Sequence, residues 1–251
     1  MTEISRRTFS KETLGTLLTY SLLETLCSRD AFADEVKPLA AAWLAEVDQL
    51  SRELRGKPLE QVAWQDQVES LFAKVDLADL LKFVDFEKLT ANLVYRDRGE
   101  RSLRPTFPKV EGLPTSLVFG HQIFALKQDR SVVPHGHNNM ATAFLVLKGE
   151  FHGRHYDRLE DDREHMIIKP TIDRPFVPGQ YSTISDFRDN VHWFKATSET
   201  AFLFNIHVMG LKSGTGRADG RVYIDPNGEK LSGDRIRAKK LKTAEAFKLY
   251  G

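Results

Sequence analysis

The hydrophobic period of this chain changes once along its length, and that change restricts the folds open to it. From Asp34 to about Asn92, apolar residues recur at three- and four-residue steps. Val36, Leu39, Trp43, Val47, Leu50 and Leu54 mark one face of a helix. Val62, Val68, Leu71, Phe72 and Val75 mark a second, and Asp76 is placed to cap a third that carries Leu80, Leu81 and Val84. Between 98 and 114 the residues Arg98, Gly99, Pro105, Pro108, Gly112 and Pro114 predict an irregular connection. Beyond it the period is two. Strands are predicted at Leu117–Lys127, Val132–His137, Ala141–Leu147, Glu150–Tyr156, Gln180–Ser185, Val191–Ala196 and Ala201–Val208. Short strands separated by turn signals form sandwiches or barrels, and the helices supply a layer against one. The chain is therefore expected to be mainly β, a barrel preceded by an α-helical segment. After it come a turn at Asp225–Gly228 and a basic helical end at Ile236–Tyr250.

The bulk properties exclude several function classes. A net charge of +1 over 251 residues gives no basic field for nucleic acid. No apolar run reaches the roughly 18 residues of a membrane span. One cysteine, Cys27, cannot form an internal disulfide or a CxxC pair, and an inert buried thiol is its simplest reading. A bound metal must draw its ligands from the 8 histidines and the carboxylates. There is no GxSxG, Walker loop, GxGxxG or HExxH, and Gly214–Gly220 is too loose for a phosphate loop.

Residues 1–33 form a separate segment. Ser5-Arg6-Arg7-Thr8-Phe9-Ser10-Lys11 resembles a twin-arginine export signal, followed by a modestly apolar stretch, Leu14 to Leu26, and an A-x-A cleavage pattern at Ala31-Phe32-Ala33. Export to the periplasm is the expectation. The alternative is an uncleaved amphipathic helix, because Glu12 and Glu24 are costly inside an export signal.

His135-Gly136-His137 carries the chemistry. In an extended segment the side chains at i and i+2 share a face, so both imidazoles can bind one ion. Pro134 favours an extended or turn conformation there rather than a helix. The stretch from His135 and His137 through Met140, Gly149, His152 and Tyr156-Asp157, followed by Asp189-Asn190-Val191-His192-Trp193-Phe194-Lys195-Ala196, resembles the metal motifs of cupins. It is most similar to the thiol dioxygenases of the cysteamine dioxygenase and plant cysteine oxidase group. The resemblance covers about 117–208. It implies a jelly-roll barrel with Fe(II) held by His135, His137 and His192, a small thiol and dioxygen as substrates, a sulfinate as product, and a homodimer. Cupins carry a glutamate near the position of Thr142, and its absence here favours three neutral ligands. Asn205 stands where the thiol dioxygenases carry an acid.

Other residues have two readings. His152, Arg154 and Tyr156 alternate on one strand, so they are either catalytic groups facing the cavity, with Arg154 gripping a carboxylate, or a solvated outer face. His121, His155, His165 and His207 are read as surface or packed histidines, Tyr181 as a core residue, and Asp161–Glu164 as a solvated turn. The expected organisation is 1–33 signal, 34–105 helical segment, 106–215 barrel with the metal site, and 216–251 terminal turn and helix. Three histidines also accept Zn, Mn or Ni. A cupin isomerase or hydrolase, or a non-catalytic metal or small-ligand binding module, is therefore the alternative to a dioxygenase. Because imidazole binds metal only when neutral, occupancy is expected to fall below about pH 6.

Overall fold

The computed structural model describes residues 29–109, 116–211 and 220–251. The twin-arginine motif, the apolar stretch after it and Cys27 lie outside the described residues, while Ala31-Phe32-Ala33 falls within the first helix. Among the described residues four helices come first: α1 (Arg29–Gly56), α2 (Gln61–Phe72), α3 (Leu77–Phe83) and α4 (Phe86–Thr90). The expected stripes are where the helices pack. Trp43, Val47 and Leu54 of α1, Val68, Leu71 and Phe72 of α2, and Leu80 of α3 are buried, whereas Leu39 is 67% exposed. Asp76 caps α3 as expected, its carboxylate accepting from the Asp79 amide at 2.9 Å. Among the described residues no helix is long and apolar enough to cross a membrane.

Eleven strands follow among the described residues: β1 (Arg101–Leu103), β2 (Gly120–Lys127), β3 (Ser131–Asn138), β4 (Met140–Lys148), β5 (Phe151–Asp161), β6 (His165–Phe176), β7 (Tyr181–Ile184), β8 (Val191–Ala196), β9 (Thr200–Met209), β10 (Gly220–Lys230) and β11 (Ile236–Lys240), and then a helix α5 (Thr243–Tyr250). They form an antiparallel sheet in the order β1-β2-β9-β4-β7 and a closed ring β10-β11-β6-β5-β8-β3. The chain is thus a mainly β barrel with an α-helical N-terminal segment.

Alternation sorts the first sheet into two faces. Ile123, Ala125, Ala143, Leu145, Phe204 and Ile206 pack with the helices. Their neighbours Phe124, Leu126, Phe144, Val146 and Leu203 pack against Val132, Phe151, Phe176 and Phe194 of the ring. Both faces are covered, so β4 and β9 read as nearly continuous apolar runs. Gln61 ties the helical layer to the site: its amide accepts from Asp186 N at 2.9 Å and donates to the Asp186 carboxylate at 3.0 Å, in the loop before β8.

Three expectations are corrected. The ring does not end at residue 215, because β10 pairs with β3 and β11 with β6, so the expected terminal appendage closes the barrel. Asp225–Gly228 is not a hairpin turn but lies within β10, at a register irregularity between Asp225 and Glu229, where Pro226 need not donate to a ladder. Ile236–Lys240 is a strand, and the helix begins only at Thr243. In addition, β6 went unforeseen: Pro170 and Pro175 and its largely exposed pattern hide the strand period.

Candidate metal centre

The two histidine stretches meet because β3 and β8 are neighbours in the ring. His135 stands directly opposite His192, so the two side chains share a face. The ladder is irregular between Val132 and His135, where Pro134 has no N–H to give it. Gly136 places His137 on the same side two residues on. One ring nitrogen from each of His135, His137 and His192 lies within 4.8 Å of those of the other two. The ring centroids are 4.2, 4.6 and 5.1 Å apart.

All three rings are buried. His135 Nδ1 lies 2.7 Å from the Val133 carbonyl, which assigns it the proton and leaves Nε2 as a lone-pair donor. His135 Nε2, His137 Nδ1 and His192 Nδ1 are buried without a hydrogen-bond partner among the described residues. Such orphaned nitrogens are costly in a protein interior, and a metal ion held by one nitrogen of each ring would give the cluster the partner it lacks. The residues therefore fit a divalent cation, with His135, His137 and His192 as its ligands.

Electrostatics keeps the rings neutral. Burial holds His135 down to about 3, helped by the Arg221 guanidinium. Burial and then the neighbouring His135 hold His137 and His192 well below the usual histidine range. These depressed values weaken proton competition for the rings in the folded chain, so occupancy there is expected to persist to lower pH than free imidazoles would allow.

Asn190 fixes the relation between the two ligand strands. Its amide nitrogen donates to the His137 carbonyl and to the Ser185 carbonyl, both at 2.9 Å. The Ser185 hydroxyl in turn accepts from the amides of Phe187 and Arg188, shaping the loop that delivers β8. A Cβ on Gly136 would lie 2.7 Å from Asn190 Oδ1 and 3.2 Å from Val191 Cγ2. Gly136→Ala is expected to push Asn190 off the His137 carbonyl and lower metal affinity by about 10–100-fold, as loss of an outer partner does. Competition with a chromophoric chelator reads this directly. Unchanged affinity would mean that Asn190 does not position the ligands.

The imidazoles face a cavity of about 250 Å³ lined by Gln122, Phe124, Thr142, Phe144, Asn205, His207 and Arg221 among others. Thr142 lies in the wall as aligned from sequence, offering a hydroxyl rather than a carboxylate. Asn205 Oδ1 accepts from Gln122 at 3.1 Å, and His207 Nδ1 is 3.3 Å from it.

His152, Arg154 and Tyr156 are not in this cavity, and the expectation that they face it is corrected. On β5 the residue opposite His192 is His155, so the inward set is the other one. His152 and Arg154 share Asp173 on the outside, and Arg154 covers the Trp193 ring at 4.6 Å. Tyr156 packs with Met166, Val191 and Ile224. His155 is fully buried, stacked with Phe176, and held down to about 3 by burial and then Arg174. Its Nε2 is 3.4 Å from Ser182 Oγ, and it is not one of the three clustered ligands. Tyr181 packs edge-on to Phe72 on the helical side. Three polar residues of the site were not anticipated as such: Arg221, Gln122, and His207 as a wall residue. Arg221 carries no motif, and its position depends on the pairing of β10 with β3.

No family model matches the chain, and no curated protein matches it. Solved structures with likeness to it are cupin and double-stranded β-helix proteins. One is procruciferin, an 11S globulin from Brassica napus, at 18% identity and a TM-score of 0.29 over 37% of this chain and 21% of the globulin. A second is a Klebsiella pneumoniae protein with a double-stranded β-helix domain, at 10% identity and a TM-score of 0.35 over 54% of this chain and 87% of that one. A third is a cupin superfamily protein from Desulfitobacterium hafniense, at 14% identity and a TM-score of 0.31 over 49% of this chain and 88% of that one. The matched stretch thus spans about a fifth of the globulin's length.

Proposed function

We propose that this protein is a mononuclear Fe(II) dioxygenase that converts a small thiol to its sulfinate, R–SH + O₂ → R–SO₂H. The observation that carries the reading is the convergence of three buried neutral imidazoles, without a carboxylate, on a small cavity. Three neutral donors leave a divalent ion its full charge and open positions, a setting matched to a thiolate beside dioxygen. His135, His137 and His192 would hold the iron, which would supply the dioxygen chemistry, while the chain's own groups do the rest. Phe124, Val132 and Phe144 make the inner wall apolar, which excludes water from the reacting sulfur. Gln122, Asn205 and His207 form a connected polar wall whose remaining donors can orient a bound molecule.

The test is elemental analysis of protein purified without added metal, followed by oxygen uptake with a panel of small thiols and mass detection of the product. The expected result is iron near one equivalent and one dioxygen consumed per thiol lost, with sulfinate formed. Stoichiometric zinc with no oxygen uptake from any thiol would overturn the reading in favour of a binding module or a hydrolytic cupin.

A further inference from the structure

We propose that Arg158 is a positioning residue of the metal centre: its buried guanidinium bridges a gap in the ring and fixes the end of β3 that carries His137. The inference rests on the three-histidine centre and not on the thiol reading above.

The gap follows from the strand lengths. β8 lies between β3 and β5, and its ladders end at Val191, which pairs with Gly136 on one side and with Tyr156 on the other. β3 runs on to Asn138 and β5 to Asp161. Past Val191, among the described residues, no strand lies beside His137 and Asn138 on this side. β5 is then two strand spacings away, about 10 Å. Two side chains cross that space. Asn190 donates to the His137 carbonyl from the loop before β8. Arg158, from β5, donates through Nη1 to Asn138 Oδ1 at 2.7 Å and reaches the His137 carbonyl at 3.4 Å. The first contact has the length of a charge-assisted hydrogen bond.

The guanidinium is placed there at a cost. The Arg158 side chain is 1% exposed, and its counter-ion is Asp161, at the end of the same strand. Asp161 is shared with Lys240 of β11, whose ammonium also donates to the Asp162 carbonyl. A buried ion pair often adds little stability over apolar side chains of the same volume. What this one does is hold a strand end that bears a metal ligand. Within the network Arg158 is the member that touches β3, whereas the side-chain contacts of Lys240 among the described residues are with Asp161 and Asp162. The two cations therefore separate ligand position from general stability.

The test is titration of the metal-free full chain with Co(II) against a chromophoric chelator, read together with the visible absorption of the bound ion, whose bands follow ligand geometry. Arg158→Met removes the fork of donors and is expected to weaken Co(II) binding by about 10–100-fold and to shift the bands. Arg158→Lys should recover part of the affinity, because the charge stays and the fork is lost. Asn138→Ala should weaken Co(II) as well. Combined with Arg158→Met it should cost far less than the product of the two single losses, because both remove one contact. Lys240→Met should leave the affinity within about twofold and the bands unmoved, whatever it costs in melting temperature. If Arg158→Met does not fold, Arg158→Lys and Asn138→Ala carry the comparison with Lys240→Met. The positioning role is overturned if the Arg158 variants bind Co(II) with the affinity and spectrum of the unaltered protein. It is likewise overturned if Lys240→Met loses as much affinity as they do, or if the Arg158 and Asn138 losses simply multiply. An unaltered protein that takes up no Co(II) would sink the metal centre and this inference together. Uptake with the expected variant pattern, but no oxidation of any thiol, would sink the thiol reading alone.

Discussion

Replacing His192 with alanine is expected to empty the metal centre while the barrel stays folded. His192 sits in the middle of a row across three strands, opposite His135 on β3 and opposite His155 on β5. Its removal leaves two imidazoles on one strand, and two neutral donors hold a first-row ion far less firmly than three. Loss of a mere outer partner costs about 10–100-fold, so loss of a ligand should exceed that range. The thermal consequence follows from linkage: a site filled at about 100 times its dissociation constant stabilises the fold by about 2.7 kcal/mol. Chelation should therefore lower the melting temperature of the unaltered protein and leave His192→Ala unmoved. His155→Leu is the informative control. His155 is as buried as His192 and adjacent to it, with ring centroids 6.4 Å apart, yet it lies outside the ligand group. It should keep its metal to within a few-fold. A His192→Ala protein with full metal content would sink the assignment, and so would loss of metal from His155→Leu equal to that of His192→Ala.

The contrast between His192 and His155 also marks how far the sequence could be read. His135-Gly136-His137 was readable because period two fixes the relation between i and i+2 whichever way the strand faces. The stretch around His192 was readable because Asn190-Val191-His192 is a local pattern, and its asparagine is what bridges the two strands through the His137 carbonyl. Which face of β5 looks inward was not readable. His152, Arg154 and Tyr156 alternate with Gly153, His155 and Asp157, and both sets are polar enough to serve either side. The decision lies in pairing, since His155 and not Arg154 is registered with His192. The same holds for the C-terminal strands. The Asp225-Pro226-Asn227-Gly228 sequence signals a turn, and only the ladders from β10 to β3 and from β11 to β6 reveal it as a bulge in a ring strand. Arg221 enters the site by that route, from 84 residues beyond His137, and long-range pairing leaves no local trace. The helical stripes were readable because burial on one face imposes a period. Leu39 departs from its stripe, 67% exposed beside the buried Ala40 and Ala41.

The metal-free protein is expected to unfold in mild acid, well above the range where carboxylates titrate. His135 and His155 are each held down to about 3 in the folded chain, and His137 and His192 well below the ordinary value. In the unfolded chain each titrates near 6.5. Between those limits the unfolded state carries protons that the folded state refuses, so stability rises with pH and is lost as pH falls below about 6.5. Each such histidine contributes a slope of about 1.4 kcal/mol per pH unit. His135 and His155 alone then remove on the order of 5 kcal/mol between pH 6.5 and pH 4, comparable to the roughly 5–15 kcal/mol that holds a domain folded. The carboxylates that gain partners in the fold act elsewhere. Asp161 and Asp173 lie below their usual value through Lys240 with Arg158 and through His152 with Arg154. Their contribution is present above about pH 4 and disappears only as pH falls further. Urea unfolding at half-unit steps from pH 7 to pH 5 isolates the histidine window. His135 and His155 alone give an expected slope of about 3 kcal/mol per pH unit near pH 5, and His155→Leu should reduce it by about 1.4 kcal/mol per unit while leaving the metal ligands in place. A flat stability profile between pH 6.5 and pH 5 would mean that the four rings are not buried together as neutral bases. The cavity that presents them to a metal would then be absent as well.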